Sequence, residues 1–171
     1  MPLIDHIGVL VEDLDEAVER WSRSTGYTFS PVGRYRTRRY VDGSDRHPHP
    51  HDARFCVSLE GPPRIELLEA TGSGTHSREH LGAHHLALVG YDDLEAAADR
   101  MVAAGFAGDA WNTDDSGALL LWFTRPQELD GLRLELVSKR IAPIVHDDGA
   151  PAGIDESTGR RSLWAPREEQ P

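Results

Sequence analysis

Two stretches of the chain carry the same alternation of apolar and polar positions. Residues 3–11 read Leu-Ile-Asp-His-Ile-Gly-Val-Leu-Val, and residues 83–90 read Ala-His-His-Leu-Ala-Leu-Val-Gly, so that His85 repeats His6 after 79 residues. Each predicts a strand apolar on both faces, covered by a helix on one side. After the first, Asp13 with Glu16 opens a capping box, and Leu14, Ala17, Val18 and Trp21 fall at helical spacing before Gly26. Residues 27–40 are then extended, and residues 41–52 have the composition of a loop. Phe55, Val57 and Leu59 alternate as a strand, Gly61-Pro62-Pro63 turns the chain, and residues 64–68 return.

The second half repeats this order. A helix opens at Asp93, with Leu94, Ala97, Ala98, Met101 and Val102 on one face and Gly105 past its end. Extended segments at 107–111 and 118–124 flank a turn, and residues 132–137 close the unit. The fold class is therefore α+β, with two tandem βαβββ modules over residues 1–69 and 83–140 joined by a Gly/Ser/Thr-rich linker at 70–82. Beyond Lys139 the periodicity stops, and residues 141–171 read as an extended or disordered C-terminal arm, with Trp164 beside Leu163 as its docking candidate.

Composition narrows the classes of function. With 171 residues, 39% hydrophobic and 27% charged, the chain is long enough for a substantial core and has no apolar run of membrane-spanning length. A net charge of −11 argues against nucleic acid as a general partner. The single cysteine, Cys56, lies in a strand pattern without an activating histidine and reads as a structural thiol in a reducing compartment. With no basic-then-apolar leader pattern, a cytoplasmic location is the default expectation.

The chemistry lies in the repetition. Arg64-Ile65-Glu66-Leu67 matches Arg133-Leu134-Glu135-Leu136, so each half contributes one equivalent His and one equivalent Glu. Strand alternation puts Glu66 opposite Ile65 and Leu67, and Glu135 opposite Leu134 and Leu136. Gly8 and Ala87 share the faces of His6 and His85 and leave room beside each imidazole. Singly, each His or Glu has an ordinary reading as a hydrogen-bonded or solvated strand residue. If the halves pack about a pseudo-twofold axis, His6, Glu66, His85 and Glu135 converge as ligands for one Zn²⁺, Ni²⁺, Co²⁺, Fe²⁺ or Mn²⁺ ion. His84, the neighbour of His85, is expected on the opposite face.

The duplication, Asp-His-Ile-Gly-Val at residues 5–9, the helix opening at residues 13–17 and His84-His85-Leu86-Ala87 together resemble the vicinal oxygen chelate superfamily of glyoxalase I, methylmalonyl-CoA epimerase, extradiol dioxygenases and antibiotic-resistance proteins. The resemblance covers residues 3–138 and implies a curved mixed sheet around a metal cavity, a homodimer and a small carbonyl or acyl thioester substrate. It maps the metal ligands onto His6, Glu66, His85 and Glu135, the set of bacterial-type glyoxalase I; methylmalonyl-CoA epimerases have Gln where this chain has Glu66. The opening through Trp21 and Gly26 is closer to the epimerase-like branch. The implied activity is a divalent-metal-dependent epimerase, isomerase or glyoxalase-type lyase that abstracts a proton next to a carbonyl, with Glu66 and Glu135 as acid and base. Its rivals are a non-haem Fe²⁺ dioxygenase using His6, His85 and Glu135, and a metal-free binding or resistance protein.

Weaker candidates lie nearby. Arg34, Arg36 and Arg38 alternate on one strand face, either as a clamp for an anionic substrate or as a solvated face. Trp111 and Trp122 are core by default and pocket lining otherwise; Arg125 is a further substrate-binding candidate. His47, His49 and His51 are separated by prolines and read as a loop, at most a mobile lid.

Overall fold

A computed structural model describes residues 3–140 and 142–167. The first module comprises β1 (Ile4–Val11), α1 (Leu14–Thr25), β2 (Gly33–Val41), β3 (His49–Val57) and β4 (Arg64–Glu69). The second comprises β5 (Gly82–Tyr91), α2 (Leu94–Ala103), β6 (Gly108–Thr113), β7 (Leu119–Thr124) and β8 (Arg133–Ser138). β1 pairs parallel to β4 and β5 parallel to β8, while β1 and β5 run antiparallel at the seam between the modules. The sheet runs β3-β4-β1-β5-β8-β7-β6-β2, and β2 also pairs with β3, so eight strands close into a mixed barrel. Closure leaves those eight strands no free edge and encloses an interior.

Both helices lie on the outside of the barrel, and their local chemistry explains their limits. Asp13 and Asp93 accept hydrogen bonds from the backbone N–H of Glu16 (2.9 Å) and Ala96 (2.8 Å). Each such cap contributes about 1 kcal/mol. Gly26 ends α1 in the left-handed region at φ 77°, where a side chain would be strained. Leu14 and Ala17 pack with Val11, Cys56 and Leu67, and Leu94, Ala97 and Ala98 pack with Trp122 and Leu136, giving two equivalent helix-on-sheet cores. Met101 joins the second, whereas Val102, expected on the same face, is 56% exposed. Burial in the first core pushes the Cys56 thiol up to about 12, so it stays protonated. With outward positions committed to helices, the alternate residues His6, Gly8, Leu10, Glu66, Leu68, Glu135 and Val137 belong to the interior. Among the described residues no helix is long and apolar enough to cross a membrane.

Three regions depart from the expectation. Residues 41–52 are not all loop: β3 begins at His49, and its pairing with β2 orders the segment despite its prolines. Residues 70–82 are packed rather than slack. They form 3₁₀ turns at Gly74–His76 and Arg78–His80, with Thr75 and His76 buried and Asp42 accepting from Thr75 N at 2.8 Å. The described part of the C-terminal arm forms β9 (Ile144–His146), which pairs with β2, and the hairpin of β10 (Gly153–Asp155) and β11 (Arg160–Ser162). Leu163 is buried against Leu10, Phe55 and Leu68, while Trp164 is 44% exposed above the Arg64 guanidinium. The anchor is thus Leu163. Strands of three residues are too short to produce a readable period.

Candidate metal centre

The seam places the four expected donors in one chain. In β1 and β5, His6 lies opposite Ala87 and Gly8 opposite His85; β4 sets Glu66 beside Gly8, and β8 sets Glu135 beside Ala87. Each row across the floor therefore holds a Glu, a small residue and a His. A Cβ built at Gly8 would overlap the ring of His85, so glycine is required there by a side chain from the other module. The His6 and His85 rings stand edge to face with centroids 5.4 Å apart.

His6, Glu66 and His85 offer donor atoms within 4.8 Å of one another. Glu66 Oε2 lies 3.5 Å from His6 Nε2 and 3.3 Å from His85 Nε2, and Glu135 Oε2 lies 3.2 and 3.5 Å from the same two atoms. Donors sharing one tetrahedral ion at about 2.1 Å stand roughly 3.4 Å apart, so these four His–Glu separations are of that length. Both Nε2 atoms are buried and make no hydrogen bond.

Hydrogen bonds behind each ring aim these nitrogens inward. Asp5 Oδ1 lies 2.9 Å from His6 Nδ1 and accepts its proton. The His85 support is longer. Thr75 O accepts from His84 Nε2 at 2.9 Å, which leaves His84 Nδ1 as an acceptor for His85 Nδ1–H at 2.9 Å. In its neutral form each ring thereby directs an Nε2 lone pair to the centre, the tautomer a metal ligand needs. His84 does not turn away as strict alternation implies. The β1–β5 register shifts between Gly8 and Val9, so His84 occupies a bulge that brings it behind His85.

The electrostatics follow from this packing. Burial alone lowers the pKa of His6, but the charge of Glu66, the hydrogen bond to Asp5 and the approach of Glu135 outweigh it and raise it to about 10. Burial acts to raise Glu135, and the neighbouring His85 and His6 reverse that, holding its carboxyl below the usual range. Burial, reinforced by His85, keeps His84 neutral, well below the ordinary imidazole value.

Above this floor is a cavity of about 110 Å³ with apolar walls from residues including Phe55, Leu68, Leu121, Phe123 and Val137. Four polar groups that the pattern along the chain does not single out also line it: Tyr35, Tyr40, His76 and Arg160. Asn112 Nδ2 donates to the Tyr35 hydroxyl at 3.0 Å; burial, then Glu135, pushes that phenol up and keeps its proton in place. His76 stacks under His84 with centroids 5.0 Å apart. His51 also lines the cavity, held in β3 and stacked on Tyr40, and burial lowers its pKa to about 4. His47 is on the surface beside Asp45.

The weaker substrate candidates lie elsewhere. Arg36 and Arg38 are on the outer face of β2, where Arg34 and Arg36 pair with Asp52. Trp111 and Trp122 belong to the core under α2, and Arg125 is exposed before a short 3₁₀ turn. None of these residues lines the cavity.

A barrel of two βαβββ modules with inward His and Glu donors from each defines a class, and comparison agrees. Residues 5–117 match the model of the glyoxalase/bleomycin resistance protein/dioxygenase superfamily, and the chain belongs to that superfamily. No curated protein matches the sequence. Among solved structures, a Streptomyces coelicolor methylmalonyl-CoA epimerase variant bound to 2-nitronate-propionyl-CoA aligns with a TM-score of 0.54 at 22% identity, covering 81% of this chain and 94% of that one. A hypothetical protein from Bacillus halodurans gives 0.54 at 20% identity over 81% and 94%. The Mycobacterium tuberculosis methylmalonyl-CoA epimerase gives 0.52 at 20% identity over 79% and 86%. At such identities the likeness establishes the shared fold.

Proposed function

We propose that the protein is a divalent-metal-dependent isomerase, of epimerase or glyoxalase type, that moves a proton on the carbon next to a carbonyl or thioester. The observation carrying this reading is the pair of buried Nε2 atoms without hydrogen bonds, flanked by two carboxylates at ion-sharing distance. Two imidazoles and two carboxylates suit Zn²⁺, Ni²⁺, Co²⁺, Fe²⁺ or Mn²⁺. Such an ion, held by His6, Glu66, His85 and Glu135, supplies a Lewis acid for the charge that develops on the carbonyl oxygen as the proton leaves.

The chain's own residues supply the rest. Glu66 and Glu135 stand on opposite sides of the β1–β5 seam, on β4 and β8, so a substrate between them meets one carboxylate on each face. One removes the proton and the other returns it, which inverts the carbon; removal and return by the same carboxylate gives exchange without inversion. The apolar walls exclude bulk water and strengthen each of these charge interactions. The Tyr35 O–H, kept protonated by its burial, is a donor for a substrate oxygen. Glu135 and Glu66 together provide one carboxylate more than the facial triad of an oxygenase, which favours proton transfer over O₂ chemistry.

The test is solvent-deuterium exchange. With one equivalent of divalent metal, the protein in D₂O should incorporate deuterium at C2 of a 2-methyl acyl thioester or next to the carbonyl of an α-hydroxy ketone, and chelation should stop it. Protein that takes up no stoichiometric metal and exchanges no proton with or without it contradicts the reading.

A further inference from the structure

The C-terminal arm is fitted to the barrel mouth. A Cβ at Gly33 would strike Leu163, and one at Gly153 would strike the carbonyl of Pro166, so both glycines record close packing of the arm. The arm contributes Ala142, Ile144 and Arg160 to the cavity lining. Arg160 is held in β11 by pairing with Asp155 across a hairpin whose turn is fixed by Ser157 N and Oγ donating to Asp155 Oδ1.

Arg160 is the arginine that lines the cavity; Arg38 and Arg64, which also lie on barrel strands, do not. Arg34 and Arg36 pair with Asp52, Arg54 with Glu69 and Arg133 with Asp109. Among the described residues the Arg160 guanidinium forms no ion pair, and its Nε is buried without a hydrogen-bond partner. It lies within electrostatic reach of Asp5, Glu135 and Tyr35, and burial lowers its pKa. Arg160 as a whole is half-buried, so its terminal nitrogens are open to a ligand, and a buried Nε–H without a partner is costly unless a ligand supplies the acceptor. Planar guanidinium matches carboxylate through paired N–H donors.

We infer that Arg160, on the C-terminal arm, is a specificity-determining residue that holds a carboxylate of the substrate. This rests on the proton-transfer reading above, since it assigns the group bound opposite the four-donor floor. Without Arg160, an anion would meet Glu66 and Glu135 with no cation from the protein walls to offset them. The arm therefore acts as a selective cover: its hydrophobic anchor, Leu163, fixes the position of Arg160 in the cavity lining.

Hydroxamates separate the two readings because they chelate metal through a group that leaves a side arm to vary. Titration of the metal-loaded full chain should show succinohydroxamate or malonohydroxamate binding roughly 10- to 100-fold tighter than the uncharged butyrohydroxamate or propionohydroxamate of matching length. Arg160→Gln should erase that preference with metal content unchanged, and Arg160→Lys should restore part of it. A wild-type protein indifferent to the added carboxylate, or a folded Arg160→Gln variant that keeps the full preference, overturns the assignment. If no hydroxamate binds in a metal-dependent way, the metal reading fails by itself. Succinate binding to wild type and to Arg160→Gln, measured without metal, then decides Arg160: loss in the variant upholds it, and equal binding refutes it.

Discussion

The two modules deliver the same pair of donors to one floor, yet they support them differently. His6 is backed by a carboxylate from its own strand, Asp5; His85 is backed by a neutral imidazole, His84, and behind it by the carbonyl of Thr75 from the segment between modules. The small residue beside each ring differs as well, Gly8 in one module and Ala87 in the other. Each strand bulges beside its own histidine, with Asp5 as the extra residue behind His6 and His84 as the extra residue behind His85; the modules differ in the group the bulge supplies and in the ring of His85 lying over Gly8, where no Cβ fits. The two modules thus present equivalent donors and differ in the group behind each ring.

The largest effect should come from removing the space the His85 ring occupies over Gly8. Gly8→Val should displace His85 and abolish stoichiometric metal binding, and Gly8→Ala should weaken it at least about 100-fold. Ala87→Gly, the reciprocal change, should cost no more than about 1 kcal/mol of stability and leave metal content intact. Metal analysis and thermal melting of the three variants check this, and equal tolerance at both positions contradicts the asymmetry. Next come the carboxylates. Glu66→Gln and Glu135→Gln should each lower deuterium exchange by about 10²- to 10⁴-fold, with opposite selectivity for the two enantiomers of a chiral 2-methyl thioester.

A smaller effect separates the imidazoles by pH. In protein stripped of metal, the His6 pKa of about 10 lies above the ordinary 6.5, so protonated His6 stabilises the fold fully below about pH 6.5. That contribution is lost as pH rises through about 10, on the order of a few kcal/mol. Melting temperature of the metal-free protein should therefore fall between these values. Metal affinity should rise over the same range, because the ion replaces the proton. A metal-free melting curve insensitive to alkali contradicts a proton shared among His6, Glu66 and Glu135.

Much of this candidate site is legible in the sequence, because donors placed by strand alternation obey a period of two. Glu66 opposite Ile65 and Leu67, and the small residues Gly8 and Ala87, need only that parity. His84 was not legible for the same reason: one inserted residue reverses parity, and no residue type marks the insertion. The closure of β2 on β3 and β6 depends on pairing between distant segments, which also turned His51 from a loop residue into a wall residue. Arg160 was hidden by its context, a three-residue strand after a charged turn, where its position depends on Leu163 finding the pocket formed by Leu10, Phe55 and Leu68. The alternating arginines of β2 drew attention because they are periodic, but the periodic face points away from the cavity, toward Asp52 and Asp147.

The most delicate test of the contrast replaces each support while keeping an oxygen that accepts the same proton. Asp5→Asn retains an acceptor for His6 Nδ1–H and removes only the charge; His84→Gln retains an acceptor for His85 Nδ1–H and weakens the link to Thr75 O. If Asp5 acts through its charge, Asp5→Asn should reduce metal affinity about 10- to 100-fold and lower the pH at which the metal-free protein loses stability. If His84 acts by holding the ring, His84→Gln should reduce affinity by about 10-fold or less and leave that pH profile in place. Competition with a fluorescent chelator at two pH values measures both variants. Equal losses with identical pH profiles would mean that a carboxylate and an imidazole do the same work behind their rings, and the difference between the modules would then be one of packing alone.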